Sequence, residues 1–409
     1  MRARAEIIEA ARELFTRVGY QATTVESIGE ATGRSGAAVY QYFTGKFEIF
    51  EIFLREVGDE LVRIGEQFPL LTDDQSGRLS LRDWIVQFME MIEYHAGTFL
   101  SWSQIQVTDP DLGTMGQDNF RRYQSAVMAR LARARVHPPT PGIVPVGMIS
   151  VIQWSTLLNE RSSRPIDRSA IADVLAGMLH AFLYAPPGAA SVPDDDRPLT
   201  DYELPTIPLG DELGLRRPVT PRGVGTVQRI LLAAADRFRV NGFRGTSLND
   251  VAARAGVSHG SVYTYWADRE ALFGTLARDA TVAVAGQQRL LPSVAPAGDA
   301  IERWVDGWMS VIDRHGSVLY VWQHEVGGPG LDHLAAQRDQ ALDGLATGLL
   351  ELAPEEPQDP ETMKVVLRAV ITDVPFVLSS QLAILPRSDA SGFVARMLRA
   401  GLGLPGSGP

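Results

Sequence analysis

The sequence predicts an all-α protein made of two tandem copies of one helical unit. Apolar residues recur every three or four positions in both halves, whereas no long stretch alternates apolar and polar residues as a half-buried strand would. The chain repeats itself after about 220 residues, and a segment rich in proline and acidic residues separates the copies. With 409 residues, the chain is long enough for several domains with buried cores.

The composition excludes several functional classes. The absence of cysteine excludes disulfide frameworks, thiolate zinc sites and cysteine nucleophiles. No stretch approaches the roughly 20 consecutive apolar residues of a membrane span, and the amino terminus lacks the apolar core of a signal peptide. We therefore expect a cytoplasmic protein with no membrane partner. Because a net charge of −11 is unsuited to coating nucleic acid, any DNA binding must be local.

The repeat extends over whole domains. Three blocks recur in the same order with matching internal spacing, so a complete helical unit has been duplicated. The matched blocks are 7–50 with 230–273, 84–102 with 304–322, and 174–183 with 393–402.

The start of each half predicts three helices in order. An amphipathic first helix ends near a glycine, which is Gly19 in the first half. Thr23 with Glu26 predicts a capping box, as does Ser247 with Asp250, and these caps begin short helices over about 24–31 and 247–254. After a further glycine, Ser35 and Ser258 open a third helix. Two short helices joined by a glycine-containing turn form a helix-turn-helix unit.

Two strings carry a resemblance to a known family. TTVESIGEATGRSGAAVYQYFTGKFEIF and, more clearly, TSLNDVAARAGVSHGSVYTYWADREALF resemble the DNA-binding domain of the tetracycline-repressor (TetR) family. The resemblance implies a three-helix DNA-binding domain followed by a helical core, dimerisation through the last two helices, and release of DNA when a small ligand enters the core. It divides the chain into helix-turn-helix domains 1–50 and 223–273, ligand-binding and dimerisation cores 51–185 and 274–409, and a linker 186–222.

Two such units in one chain would form a covalent pseudo-dimer. We therefore expect a single chain in solution rather than a dimer of chains. The paired last helices, 143–160 with 168–184 and 364–385 with 388–402, would supply a four-helix bundle from one chain. The long linker would allow this arrangement, since extended proline-rich chain reaches tens of ångströms.

The resemblance also implies the residues that contact double-stranded DNA. The amino-terminal turn of a recognition helix faces base edges in the major groove, and flanking residues hold phosphates. The groove-facing candidates are Ser35, Gly36, Ala37 and Gln41 in the first domain and Ser258, His259, Gly260, Ser261 and Thr264 in the second. The phosphate candidates are Thr24, Tyr42 and Lys46 in the first domain and Ser247, Tyr265 and Arg269 in the second. We expect Tyr40 and Tyr263 to pack against the first helix instead.

The two DNA-binding domains differ. Residues 1–50 carry equal numbers of basic and acidic side chains, whereas 222–273 carry seven basic and four acidic ones, a balance of +3 that favours DNA binding by the second domain. Arg34 stands where the family usually has an apolar residue, Ala37 replaces a glycine, and Gly29 lies inside a helix at a cost of about 1 kcal/mol. Arg34 indicates either loss of function or a new base contact. Because the recognition helices differ, we expect an imperfect or asymmetric inverted repeat as the operator.

The basic cluster Arg216, Arg217 and Arg222 has two interpretations. It could reach a minor groove, but a solvated charge run is the favoured one.

Each core carries an aromatic stripe at helical spacing. The stripes are Trp84, Phe88, Ile92, His95, Phe99 and Trp102 in the first half and Trp304, Trp308, Ile312, His315, Leu319 and Trp322 in the second, with Trp154 as a further candidate. Pocket lining and core packing are equally favoured for the aromatic residues, whereas hydrogen-bonded core positions are favoured for the two histidines. If the stripes line pockets, the effector is small and apolar or aromatic.

No motif indicates catalysis or a cofactor. His324, Glu325, Asp332 and His333 span a glycine-rich loop rather than one helical face, so no metal site is expected. The chain is therefore expected to be a ligand-responsive transcription regulator that acts as a repressor, and not an enzyme. A helical sequestering protein with degenerate DNA-binding domains and a transcription activator are the alternatives.

Overall fold

The computed structural model confirms the all-α fold class, since every regular element among the described residues is a helix. It describes residues 2–20, 22–108, 110–136, 138, 142–162, 164–185, 215–291, 299–325, 332–378 and 386–405. The chain divides into two compact units, Met1–Tyr184 and Ala185–Pro409. The predicted linker lies outside the described residues except for 215–222.

Among its described residues, the first unit begins with the three helices of the predicted DNA-binding domain and continues into a core of six. The helices of the DNA-binding domain are α1 (Arg2–Val18), α2 (Val25–Ala31) and α3 (Gly36–Val39). Those of the core are α4 (Lys46–Glu66), α5 (Gln75–Tyr94), α6 (Ala96–Thr108), α7 (Pro110–Arg133), α8 (Val144–Glu160) and α9 (Arg168–Tyr184).

The second unit repeats this order with two differences. Its helices are α10 (Val224–Gly245), α11 (Leu248–Ala255), α12 (His259–Tyr265), α13 (Arg269–Leu290), α14 (Ala300–His324), α15 (Asp332–Leu350), α16 (Pro360–Arg368), α17 (Val374–Phe376) and α18 (Arg387–Leu402). Helix α14 runs unbroken where the first unit has α5 and α6. A π-helical turn, Ala369–Asp373, joins α16 to α17.

The DNA-binding domain of the first unit has a continuous apolar core. Ile7 and Phe15 of α1 pack with Ile28 of α2, Val39 of α3 and Phe50 of α4. Gly19 ends α1 with a φ of +85°, and Gly242 takes the equivalent place in the second unit with a φ of +71°. Glycine adopts this left-handed region without the clash that a side chain would cause, so the chain turns at the same point in both units.

One of the two predicted capping boxes is shifted by one residue. The N-cap of α2 is Thr24, whose side chain accepts from the Ser27 amide while the Ser27 side chain accepts from Thr24. Thr23 is instead buried, and its hydroxyl donates to Gly19 O across 2.9 Å. The predicted Thr23–Glu26 box was therefore wrong, because Thr23 closes the preceding turn. In the second unit the predicted box of Ser247 and Asp250 is present.

The π-helical turn has a local cause in Pro375. Proline has no backbone N–H, so the carbonyl of Ile371, four residues earlier, loses its usual helical donor. The indole N–H of Trp308 donates to this carbonyl across 2.6 Å. The predicted helix 364–385 is therefore interrupted, whereas α8 and α9 match the predicted 143–160 and 168–184 within a residue.

Candidate nucleic-acid interface and effector core

The predicted recognition helices α3 and α12 begin with the same cap but differ in length. Ser35 accepts a hydrogen bond from the Ala38 amide, and Ser258 accepts one from Ser261, so both hydroxyls stabilise the first turn. Helix α3 has four residues, whereas α12 has seven. The second domain therefore presents the longer regular surface.

The predicted groove-facing side chains lie at the surface of their units. Ser35, Ala37 and Gln41 are exposed in the first unit, and Ser258 and His259 in the second. The four remaining candidates are half-buried or exposed, namely Gly36, Gly260, Ser261 and Thr264. Both predicted recognition helices thus leave their amino-terminal turn exposed.

The prediction that Tyr40 and Tyr263 pack against the first helix was wrong. Their exposed fractions are 55% and 40%, whereas the preceding Val39 and Val262 are fully buried. One residue corresponds to about 100° around a helix, so burial of the valines turns the tyrosines outward. Helical periodicity from the valines could have identified this. Tyr263 packs its ring against that of His259, with centroids 4.5 Å apart.

The two basic residues predicted to bind phosphates, Lys46 and Arg269, donate hydrogen bonds to backbone carbonyls. Nζ of Lys46 donates to the carbonyls of Tyr20 and Thr23, each across 2.8 Å. Arg269 donates to the carbonyl of Arg244 across 2.9 Å, and its guanidinium lies 4.6 Å from the centre of the Phe243 ring. Burial lowers the pKa of Lys46. In each unit, the basic residue therefore holds the end of the first helix against the start of the fourth helix, which is α4 in the first unit and α13 in the second.

The other phosphate candidates flank the predicted recognition helices α3 and α12. Thr24 and Ser247 cap α2 and α11 and are exposed. Tyr42 is exposed and Tyr265 half-buried.

Arg34 is held by an ion pair with the first helix. Its guanidinium donates to Glu6 across 2.6 Å and to the Thr32 carbonyl across 3.0 Å. The hydrogen bond from Arg34 is the main reason why the pKa of Glu6 is lowered. The equivalent positions in the second unit hold Val257 and Arg229, so this contact belongs to the first domain alone.

Gly29, a departure from the family pattern, has a structural reason. A Cβ added there would lie 2.9 Å from Arg34 O and from Gly36 N, closer than real Cβ atoms approach. The helix therefore packs directly on the turn that leads to α3. Ala252 occupies the equivalent position in the second unit.

The positive charge of the second domain is partly neutralised. Asp236 accepts hydrogen bonds from Arg237, Arg239 and Arg254 at 2.8 to 3.1 Å. Burial alone would raise the pKa of Asp236, but the hydrogen bonds from Arg254, Arg237 and Arg239 outweigh it and lower the pKa to about 2. These three arginines are thus arranged around one carboxylate.

Four tryptophans of the aromatic stripes are integrated into the core. Trp84, Trp304 and Trp322 donate their indole N–H to the carbonyls of Ile64, Gln287 and Leu334 at 2.8 to 3.1 Å, as Trp308 does to Ile371. Trp154, Phe88, Ile92 and Ile312 are buried, while Phe99 and Trp102 are half-buried. These four buried indole N–H groups thus have a hydrogen-bond acceptor, as is usual for tryptophans packed in a core.

His95 connects the first DNA-binding domain to its core. The guanidinium of Arg12, on α1, lies 3.3 Å from Nδ1 of His95, and Nε2 of the ring lies 3.1 Å from Glu60. Since a guanidinium only donates, Nδ1 accepts and Nε2–H donates to Glu60. Burial lowers the pKa of His95. In the second unit Ala235 stands at the position of Arg12.

His315 has a different environment. Its Nδ1 lies 3.9 Å from Asp279, and burial, with a smaller contribution from Arg314, lowers its pKa to about 4.

A buried polar cluster in the second unit was missed by the sequence analysis. Asp373, in the π-helical turn, accepts hydrogen bonds from Nε2 of Gln323 across 2.7 Å and from Thr372, and it lies 2.6 Å from Nε2 of His324. Next to this cluster, Glu325 accepts a hydrogen bond from the Phe243 amide. An acidic residue in the apolar run VVLRAVITDVPFVL was the available signal.

Two depressions in the described parts of the chain are lined by other residues than the aromatic stripes. An open groove of about 860 Å³ lies between α4 and α7, with Arg121, Arg122, Arg130 and Arg133 along one side. A smaller one of about 400 Å³ lies between α13 and α15 and is lined in part by Glu270, Arg278, His333 and Leu334. Within the described residues no group of three or more His, Cys, Asp or Glu could hold a metal ion, and no helix could cross a membrane.

Comparison with known proteins identifies the same domain in both units. The family model described as bacterial regulatory proteins, tetR family, matches residues 7–52 and 230–276. The chain is 26% identical over 172 residues to the transcriptional activator FasR of Mycolicibacterium smegmatis, which covers 42% of this chain and 78% of FasR.

Two repressors are also similar. The chain is 41% identical over 130 residues to AcnR of Corynebacterium glutamicum, covering 32% of this chain and 64% of AcnR. It is 40% identical over 90 residues to Rv3405c of Mycobacterium tuberculosis, covering 22% of this chain and 42% of that protein. The chain thus spans less than two thirds of the length of these two repressors.

Proposed function

We propose that this chain, a member of the tetR family of bacterial regulatory proteins, is a repressor in the cytoplasm. The premise is that it carries that family's DNA-binding domain twice. It binds an operator in double-stranded DNA and leaves it when a small effector enters its helical core. Regulation of transcription, and not catalysis, is the activity of this family. Repression is favoured because AcnR and Rv3405c are named repressors, whereas FasR is an activator.

The observation that carries the proposal is the open first turn of both recognition helices. Ser35 and Ser258 fix these turns through their caps, while Val39 and Val262 anchor the helices in the core. Such a helix enters a major groove with its amino-terminal side chains against base edges. Tyr40 and Tyr263 extend the same exposed surface.

The two recognition helices would read different half-sites. His259 in α12 has Gly36 as its counterpart in α3, and Thr264 has Gln41. Side chains that differ in hydrogen-bonding pattern select different bases, so the operator would be an imperfect or asymmetric inverted repeat. Half-sites about 34 to 36 Å apart would allow both domains to bind one face of the duplex.

One chain would supply both halves of this assembly. In α8 the residues from Val144 to Ile152 are all apolar or small, and a helix that is apolar all round needs cover on every side. Pairing of the last two helices of each unit would provide it. Because a tether keeps the partner at about millimolar local concentration, we expect a monomer rather than a dimer of chains. Light scattering that gave the mass of two chains would contradict this.

The effector would be small and apolar or aromatic, and would bind beside the aromatic stripes. These stripes are apolar helix faces with a few polar points, His95 and His315 among them. Arg12 in the first unit and Glu325 in the second connect the cores to the DNA-binding domains. Effector binding could therefore be transmitted through direct contacts.

Selection of bound sequences from random duplex DNA by the purified full chain tests the proposal. We expect two half-sites of unequal sequence. Gln41→Ala should relax selection in one half-site and His259→Ala in the other, each by about 1 to 3 kcal/mol of discrimination. Arg289→Gln, near the far end of α13, is the control and should leave both half-sites unchanged. Enrichment of no sequence would instead support the sequestering alternative.

A further inference from the structure

The segment before α10 is fixed to the end of the second recognition helix. The amide of Arg216 donates to the carbonyl of Tyr265 across 2.9 Å. Close to the start of α10, a Cβ added to Gly223 would lie 2.6 Å from the hydroxyl of Tyr265, so the backbone passes close to that hydroxyl. The Thr220 carbonyl accepts from the Gly223 amide across 2.8 Å and leads the segment into the helix. Residues 215–223 are therefore positioned by Tyr265 at two points.

This segment is basic and open. Arg216, Arg217 and Arg222 are exposed, and none of them has an acidic partner among the described residues. By contrast, the three arginines around Asp236 have an acidic partner in that carboxylate. Pro218 and Pro221 restrict the backbone between them, so less conformational entropy is lost when the arginines bind a ligand.

We propose that residues 215–222 form a basic arm that binds the sugar–phosphate backbone flanking the half-site read by α12. The inference rests on the proposed function. Tyr265 is the candidate phosphate contact at the edge of the groove, and the arm is bonded to the end of the same helix. Guanidinium groups at this position face the next phosphates along the duplex, and such contacts fix a protein on DNA without reading sequence.

Salt dependence gives the arm a quantitative signature. Each phosphate that is neutralised contributes about 0.9 to the slope of log affinity against log salt concentration, so three contacts contribute about 2.7. Between 50 and 200 mM salt, the wild-type chain should therefore lose roughly 40-fold more affinity than a chain without the three charges.

The test compares two full-length variants with the same change in charge. R216Q/R217Q/R222Q removes the arm's charges, and R289Q/R303Q/R314Q removes three exposed arginines of α13 and α14. Affinity for the selected operator is measured by fluorescence anisotropy across a range of salt concentrations. We expect the slope to fall by about 2 to 3 in the arm variant and to stay unchanged in the control. Equal slopes in the two variants would overturn the proposal.

Two further measurements distinguish backbone contacts in the flank from contacts within the half-sites and from sequence reading in a minor groove. Hydroxyl-radical footprinting of the arm variant should show loss of protection outside one half-site only, and loss within both half-sites would count against an arm. Exchange of A·T for G·C pairs in that flank should leave wild-type affinity unchanged, because a dependence on the flank would indicate sequence reading in the minor groove. If the wild-type chain binds no operator at all, the proposed function fails rather than the arm.

A matched pair of single variants tests the tether itself. Arg216→Gln and Arg216→Pro lose the same charge, but only proline also loses the N–H that bonds to Tyr265. We expect weaker operator binding by Arg216→Pro than by Arg216→Gln with an unchanged melting temperature. Equal affinities would show that the hydrogen bond does not position the arm.

Discussion

The backbone amide of Phe243 donates a hydrogen bond to Oε2 of Glu325 across 2.6 Å. The donor follows Gly242, the glycine at the kink within α10, and the acceptor caps α14 in the core. Glu325 also follows His324, which contacts Asp373 in the π-helical turn. Two successive contacts thus join the DNA-binding domain to the interior of its core.

Loss of this acceptor should weaken the attachment of the domain. Glu325→Ala leaves the Phe243 amide without its partner, and we expect a loss of about 1 to 2 kcal/mol in the free energy of unfolding. Glu325→Gln retains a side-chain carbonyl and should lose less. Denaturant unfolding of both variants measures this difference. Equal stability of the two variants would show that the side-chain acceptor contributes nothing.

The bond between Trp308 and Ile371 predicts a dependence on Pro375. Trp308→Phe removes the donor and leaves a buried carbonyl unpaired, which should destabilise the protein by about 1 to 3 kcal/mol beyond the effect of lost volume. Pro375→Ala restores a backbone N–H that can reach the same carbonyl. Trp308→Phe should therefore cost less in the Pro375→Ala background.

A double-mutant cycle isolates this coupling, because the change in side-chain volume is the same in both backgrounds. Unfolding is followed by denaturant titration of the four proteins. Additive effects of Trp308→Phe and Pro375→Ala would contradict the structural role assigned to the indole.

The pKa of His315 predicts that stability falls in acid. Burial lowers this pKa to about 4, so the unfolded state, with a histidine pKa of about 6.5, binds a proton first as pH falls. The stabilising contribution is complete above pH 6.5 and is lost between pH 6.5 and about 4. Its size is on the order of a few kcal/mol.

His315→Gln should reduce this pH dependence. The measurement is the free energy of unfolding between pH 4 and 8 for wild type, His315→Gln and the exposed-site control His259→Gln. Below pH 6.5, the stability of wild type and of the control should fall more steeply than that of His315→Gln. A wild-type slope retained in His315→Gln would assign the acid sensitivity to other groups, such as the buried carboxylates.

The sequence predicted those features that depend on nearby residues. Gly19, Ser258 and the Ser247–Asp250 box mark helix ends through interactions that span three or four positions, so the order of the helices could be predicted. The shift of the cap from Thr23 to Thr24 escaped notice because both residues are threonine. The buried valine before each exposed tyrosine decides the orientation of that helix, a signal of helical periodicity that the sequence already contained.

Contacts between distant parts of the chain could not be predicted in this way. His324 meets Asp373 across 49 residues, and Arg12 meets His95 across 83. A charged residue in an apolar run indicates a buried partner but does not identify it. The aromatic stripes were recognised from their periodicity, but the backbone carbonyls bound by their indoles depend on how neighbouring helices pack.

At Gly29 the structure predicts the opposite outcome from helix propensity. On propensity alone, Gly29→Ala should stabilise α2 by about 1 kcal/mol. The added Cβ would instead lie 2.9 Å from backbone atoms of the turn that leads to α3, and backbone cannot move aside as a side chain does. We therefore expect Gly29→Ala to destabilise the first DNA-binding domain and to weaken reading of its half-site.

The reciprocal variant is the control. Ala252→Gly, at the equivalent position of α11, creates no contact and should cost about 1 kcal/mol, as expected for a glycine in a helix. Native-state hydrogen exchange of amides in α2 and α11 measures each domain separately within the full chain. Faster exchange in α2 of Gly29→Ala is the expected result, whereas slower exchange there would mean that propensity outweighs the close approach of the turn.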